Sequence, residues 1–353
     1  MIVEERRRGL KTLNYFLAVI TFNLVILATF ITRSGIVSSV HAYEADAETF
    51  YLIPITAATL LGIVVWFVRR SSNTPLKGTR EAMVFVNMLV LLLILLVILL
   101  GTFSPLLGAP VDRSYYEKVV SPLATFLVVL VGICSALNWV VDRERFLKQI
   151  GLSAGVGLIG GILVFAMFKA TIAGVCVALF LFSLLNSIRG LNTRRAGGHI
   201  VHIGILLIFL GCMGAWVYET SYRNVVIEEG GSVQLDGFEL HLRDIYIAED
   251  SERIMLVARV DVYENGELQW TAYPKLVFYK PMKYARPVPT VEIISQPTRD
   301  LYLAMRGFSM DFKKAYFEFY VIPLVSLVWL GSLMVIAGGC VAMIQSYYII
   351  PKK

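Results

Sequence analysis

Four histidines are the residues best suited to chemistry in this chain: His41, His199, His202 and His241. Imidazole titrates near neutral pH and, when neutral, ligates transition metals well. His199 and His202 stand three apart in Arg194-Arg-Ala-Gly-Gly-His199-Ile-Val-His202-Ile-Gly204, where a long apolar run begins. On a helix that spacing puts both on roughly one face. His202 is then the deeper, by about 4.5 Å at 1.5 Å rise per residue. Two readings stand open for the pair. One is a helix-end histidine bonded to a neighbouring helix; the other is an iron ligand, since haem in helical bundles is commonly held by imidazole. His41 follows Arg33 in Thr32-Arg33-Ser34-Gly35-Ile-Val-Ser-Ser-Val40-His41-Ala-Tyr43. Arginine forks onto carboxylates and histidine reaches metal, so this pair suits an anionic, metal-bearing ligand. The plainer reading is loop surface. His241 reads as an ordinary strand residue.

Other chemistries find little support. Cys134, Cys176, Cys212 and Cys340 lie in apolar runs with no C-x-x-C pair, which reads as packing rather than redox or metal binding. No G-x-S-x-G, H-E-x-x-H or Walker sequence occurs. Gly155-Val-Gly157-Leu-Ile-Gly160-Gly161 fits the dinucleotide pattern, but that fingerprint must follow a strand and open a helix. Here it lies inside an apolar helix, where small residues let helices approach closely.

The elements that position these residues are membrane spans. The chain is 57% hydrophobic and only 16% charged over 353 residues. A soluble chain is usually about 45–50% apolar and about 25% charged. A span needs about 20 mostly apolar residues. Eight candidates result: 13–32, 50–68, 82–103, 121–141, 150–168, 170–188, 197–217 and 317–344. The fifth and sixth, divided near Lys169, read either as a tight hairpin or as one broken helix. The basic start leads into an apolar run too long for a cleavable signal peptide. Sixteen Lys and Arg fall in the two ends and the loops on one side, against four in the three short loops on the other: Arg33, Arg113, Lys118 and Lys169. Because cytoplasmic loops are enriched in Lys and Arg, both ends are expected inside, with 33–49 and 104–120 outside. The net charge of +6 is therefore read against the membrane, and no nucleic acid is expected as a partner.

Residues 218–316 alternate with period two, as in Glu239-Leu-His-Leu-Arg243 and Met255 to Tyr263, and Asn265-Gly266 is a hairpin signal. The expected fold class is an α-helical polytopic membrane protein of about eight spans with one small extracytoplasmic β domain. Its expected parts are a membrane domain over 1–217, the β domain over 218–316, and a last helix with cytoplasmic tail over 317–353.

Three segments carry a family resemblance. Thr29-Phe-Ile-Thr-Arg33-Ser-Gly-Ile-Val-Ser-Ser-Val-His41-Ala-Tyr43 resembles the T-F-x-x-R-S-G-x-x-x-S-V-H-A-F segment of the CcmF proteins of cytochrome c maturation. Gly101-Thr-Phe-Ser-Pro105 resembles that family's G-T-x-x-P helix end. Arg195-Ala-Gly-Gly-His199-Ile-Val-His202-Ile-Gly204 resembles its R-R-x-G-x-x-x-V-H-x-G segment. The family's tryptophan-rich W-W-D region has no counterpart here: Trp66, Trp139, Trp216, Trp270 and Trp329 are isolated. The chain is therefore expected to be the C-terminal half of a split CcmF, with an NrfE-like relative as the other option.

The resemblance implies a role in attaching haem to apocytochrome c. It implies two haems, a buried haem b and a transient substrate haem near the outer face. His202 matches one ligand of the buried haem, and His41 one ligand of the substrate haem. Arg33 is assigned here to a haem propionate, and His199 to the surroundings of the buried haem. Implied partners are the N-terminal half carrying W-W-D, a CcmE-like haem chaperone, apocytochrome c, and a CcmH-like thiol-handling protein. The implied place is the cell inner membrane. Alone, the chain is expected to be inactive as a haem lyase. The competing readings are a permease subunit, which lacks repeats and matched broken helices, and a non-catalytic scaffold of a maturation complex.

Overall fold

The computed structural model describes residues 11–34, 50–69, 79–137, 143–192, 196–280 and 287–345. His41 lies outside the described residues. Among those described, seven helices are long and apolar enough to cross a membrane, and Leu52–Ile63 is a shorter apolar helical run. With the sheet described below, the chain is a polytopic membrane protein carrying a small β domain. Two compact units divide it, Met1–Val156 and Gly157–Lys353.

The first unit holds α1 (Lys11–Ser34), α2 (Leu52–Arg69), α3 (Thr79–Phe103), α4 (Arg113–Ala136) and the first half of α5 (Arg143–Phe168). α1 packs on α2, where Thr59 Oγ1 donates to Asn23 Oδ1 at 2.7 Å. α3 ends as the Gly101–Pro105 segment led us to expect. A 3-10 turn, Ser104–Leu107, follows and closes at Gly108 with φ +72°, a left-handed conformation that glycine adopts without penalty. Ser104 Oγ donates to the Gly101 carbonyl at 2.8 Å.

Two helices start earlier than the apolar pattern suggests. α4 begins at Arg113 rather than near 121, because Asp112 caps it and accepts from the Tyr115 amide. Arg113 then pairs with Glu117 one turn on at 2.8 Å. α5 begins at Arg143 rather than near 150, with a Glu144–Lys148 pair at 2.9 Å in its first turns. Hydropathy finds the buried length of a span, whereas capping and i,i+4 pairs extend the helix beyond it.

The second unit contains the rest of α5, then α6 (Thr171–Gly190), α7 (Ala196–Val217), nine strands and α8 (Val325–Ile344). α5 and α6 are separate helices in a tight hairpin. Lys169 turns the chain with φ +54° while its amide donates to the Phe165 carbonyl at 2.8 Å. The glycine-rich run packs helices. A Cβ on Gly157 would sit 2.5 Å from the Ala178 carbonyl, and one on Gly161 would sit 2.5 Å from the Gly174 carbonyl. Gly155, by contrast, faces open space.

The β domain is one antiparallel sheet ordered β1-β9-β8-β7-β6-β4-β3-β2, with β5 also on β4. Its strands run from β1 (Thr220–Glu228) through β2 (Ser232–Leu235), β3 (Phe238–Glu249), β4 (Arg253–Glu264), β5 (Glu267–Ala272), β6 (Lys275–Tyr279), β7 (Val288–Ser295) and β8 (Arg299–Phe308) to β9 (Lys314–Pro323). Asn265 and Gly266 form the expected two-residue hairpin, both at positive φ. After β1, the Gly230 amide donates to the Leu242 carbonyl and the Leu242 amide to the Gly231 carbonyl. These bonds bring the first strand's end to β3 and nearly close the sheet. Leu240, Leu242, Val260, Val262, Leu301, Leu303, Phe317 and Phe319 fill its interior.

The expected last helix over 317–344 is corrected here. Residues 317–323 belong to β9, and the helix starts at Val325. The stretch Phe317-Glu-Phe-Tyr-Val-Ile-Pro323 is apolar enough to extend a span, but it alternates. Phe317, Phe319 and Val321 are buried while Glu318 pairs outward with Arg306 at 2.7 Å. Only the single residue Leu324 separates strand from helix, and its amide donates to the Thr298 carbonyl at 2.9 Å.

Candidate functional site

α7 carries both candidate histidines, and its opposite side is a glycine stripe. Gly197, Gly204 and Gly211 recur every seven residues. Each leaves room for backbone of α8, which runs antiparallel: Gly197 faces Ala342, Gly204 faces Gly331, and Gly211 faces Val328. A Cβ on Gly204 would lie 2.6 Å from the Gly331 carbonyl, and one on Gly338 would lie 2.7 Å from the Val201 amide. The end of α8 is tied down by the Gly197 amide donating to Gln345 Oε1 at 3.2 Å. Such close approach is how helices associate in a bilayer, where burial of apolar surface gives no net drive.

At roughly 100° per residue, His199 and His202 project about 60° apart and away from that stripe. Their rings meet edge to face, centroids 6.0 Å apart and planes at 89°. His199 is buried and His202 is half-buried. The His199 ring rests directly on Gly190, the last residue of α6; a Cβ there would lie only 2.1–2.3 Å from its ring atoms. On the same face of α6, at i, i+3, i+4 and i+7, stand Ser183, Asn186, Ser187 and Gly190, all buried. The Asn186 side-chain amide donates to the Phe182 carbonyl at 3.0 Å. The expectation that the two histidines share a face is therefore met.

The remaining described candidates lie on other elements. Arg33 is an exposed residue in the last turn of α1. His241 is in β3, as expected, with Nε2 2.8 Å from Glu239 Oε1 and its ring against Tyr263. Beside it, Asp261 accepts from Arg243 Nε at 2.6 Å and from Thr271 at 2.7 Å. Burial opposes ionisation of Asp261, but the bonds from Thr271 and Arg243 outweigh it and hold the carboxyl below its usual range. This is a structural network of the sheet. Among the described residues no group of three or more His, Cys, Asp or Glu is placed to hold a metal ion.

Two features escaped sequence reasoning. The glycine stripe was detectable from its seven-residue spacing at 197, 204 and 211, matched by 331 and 338. The small polar face of α6 was detectable as Ser183, Asn186, Ser187 and Gly190 at helical spacing inside an apolar run.

No protein-family model matches the chain. Among curated proteins it is similar to the cytochrome c-type biogenesis protein CcmF of Escherichia coli K12, 26% identical over 383 residues, covering 99% of this chain and 57% of that protein. It is similar also to CcmF of Haemophilus influenzae, at 24% identity over 98% of this chain and 58% of that one. The cytochrome c-type biogenesis protein NrfE of H. influenzae is 23% identical over 91% and 54%. Among solved structures, a chain described as cytochrome c heme lyase CcmF matches with TM-score 0.73 and 20% identity, over 97% of this chain and 56% of that one. The chain thus shares that fold, and it spans little more than half the length of the relatives it matches.

Proposed function

We propose that the chain is a CcmF-type protein, to whose relatives it is similar along nearly its whole length, and that it is a subunit of a membrane haem lyase for c-type cytochromes. The observation that carries the proposal is the whole-chain similarity to CcmF, joined to an imidazole, His202, half-buried on a helix face turned away from the α8 contact. Neutral imidazole is the usual protein donor to low-spin haem iron, so the donor chemistry fits one side of a buried haem b. His199 and His202 are neighbours on one face of a single helix with ring centroids only 6.0 Å apart, so this chain would offer such a haem a donor from one side. A second ligand would come from the W-W-D-bearing half.

In this reading the bound substrate haem supplies the vinyl groups that take up the thiols of apocytochrome c. This chain's residues orient and hold. His41 is assigned to the substrate haem and Arg33 to a propionate. A CcmE-like chaperone and a CcmH-like thiol-handling protein are the proposed partners for haem and apoprotein. The experiment is expression of this chain alone and together with its W-W-D-bearing partner chain, followed by absorption spectroscopy of the purified material. The expected result is a low-spin Soret and α-band only in the co-expressed sample. Stoichiometric low-spin haem in the lone chain would overturn the split site.

We further propose the cell inner membrane as location, with both ends cytoplasmic and the β domain periplasmic. The support is the excess of Lys and Arg in the ends and loops assigned inside, 16 against four in the three short outer loops. Reporter fusions after Arg145 are expected to read cytoplasmic, and those within 230–300 external. The reverse pattern would invert the topology.

A further inference from the structure

His199 has no assigned part beyond proximity, and the packing around it supplies one. We infer that His199 is a positioning residue: wedged against Gly190, its ring fixes the plane in which the His202 imidazole addresses iron. The inference rests on His202 being the ligand.

Three observations carry it. The His199 ring occupies the space that a Cβ on Gly190 would need, so glycine at the end of α6 is what admits the ring. His199 is buried, about one turn from His202. The two rings meet at 6.0 Å and 89°, the edge-to-face arrangement that aromatic quadrupoles favour. A ligating imidazole has one soft torsion left once its helix is fixed, the rotation of the ring itself. A perpendicular neighbour held from behind restricts that rotation. Groups that orient a ligating histidine commonly act through a hydrogen bond to its second nitrogen; here the constraint is a ring contact. Its consequence is spectroscopic, because the orientation of an axial imidazole plane sets the splitting of the low-spin ferric levels.

The test uses the complex of this chain with its W-W-D-bearing partner, in four variants: His199→Ala, His199→Phe, Gly190→Ala and His202→Ala. The readouts are low-temperature electron paramagnetic resonance of the oxidised haem and haem affinity by titration. His199→Ala is expected to keep low-spin haem but shift its g-values, with affinity about tenfold weaker, the low end of the cost of losing a ligand-orienting group. His199→Phe, which keeps a ring on Gly190, is expected to return the spectrum toward the parent's. Gly190→Ala, which touches neither imidazole chemically, is expected to give the His199→Ala spectrum. A parental spectrum in His199→Ala, or equal shifts in the Ala and Phe variants, overturns the positioning role. His202→Ala separates the two layers. If it keeps low-spin haem, the ligand reading itself fails. If it loses haem while His199→Ala stays parental, only the positioning inference fails.

Discussion

His202→Ala, in the assembled complex, is expected to lose the proposed buried haem and abolish cytochrome c maturation. An iron stripped of one axial imidazole loses a bond and its low-spin state. Losing a group that only orients a ligand costs about 10–100-fold in metal affinity, so losing the ligand itself is expected to cost at least about 100-fold. The side chain is half-buried on α7, and truncating it leaves the glycine stripe on the opposite side intact. Loss of haem would therefore report ligation rather than misfolding. His41→Ala should behave differently, stopping maturation while the buried haem stays, because its proposed iron is the transient one. Reduced-minus-oxidised spectra of membranes, beside haem-stained cytochrome c from the same cells, measure both effects. Full haem in His202→Ala together with its loss in His199→Ala would move the ligand one turn back along the helix.

The second large effect is on folding. Gly204→Ala puts a methyl 2.6 Å from the Gly331 carbonyl and 2.9 Å from the Val335 amide, both on α8. Backbone cannot step aside as a side-chain tip can, so α7 and α8 must separate along their length. Overpacking of this kind costs about 1–3 kcal/mol, and among the described residues α7 is the principal helix partner of α8. Gly198→Ala is the internal control, since nothing lies within 4 Å of a Cβ there. At that site the change from glycine is expected to be neutral or to gain up to about 1 kcal/mol from helix propensity. Unfolding midpoints of the two variants purified in the same detergent should move in opposite directions, or only the Gly204 variant should move. Coincident midpoints would mean that the α7–α8 contact contributes little to stability.

Sequence reasoning reached the helices and the histidine pair because both depend on short-range periodicity. The period-two run around His241, the Asn265-Gly266 hairpin and the three-residue spacing of His199 and His202 are local signals that packing had no reason to override. It failed where two periodicities overlap. Phe317 to Pro323 is apolar on average and so joins the following span, yet Phe317 and Phe319 alternate with Glu318 and Tyr320 as a strand must. It also failed where a helix outlasts its apolar core, as at Arg113 and Arg143. The part of the site that escaped it depends on a second helix. The glycines of α7 and α8 can be counted in the sequence, but which of them carry backbone contact and which, like Gly198 and Gly339, face nothing emerges only from their pairing.

That pairing also orders the molecule's biosynthesis. α7 is followed by residues 218–324 before α8, its partner, begins. At about 5–20 residues per second the ribosome needs roughly 5–20 s to make that stretch. Until α8 arrives, the stripe at Gly197, Gly204 and Gly211 lacks its helix partner, and β1 waits equally for β9, its strand neighbour. One late event therefore completes both: the last strand zips onto the first, and the last helix, one residue behind it, slides along the glycines. The histidine-bearing helix follows α1 to α6 in the chain, yet its glycine face is paired only once the final helix is in place.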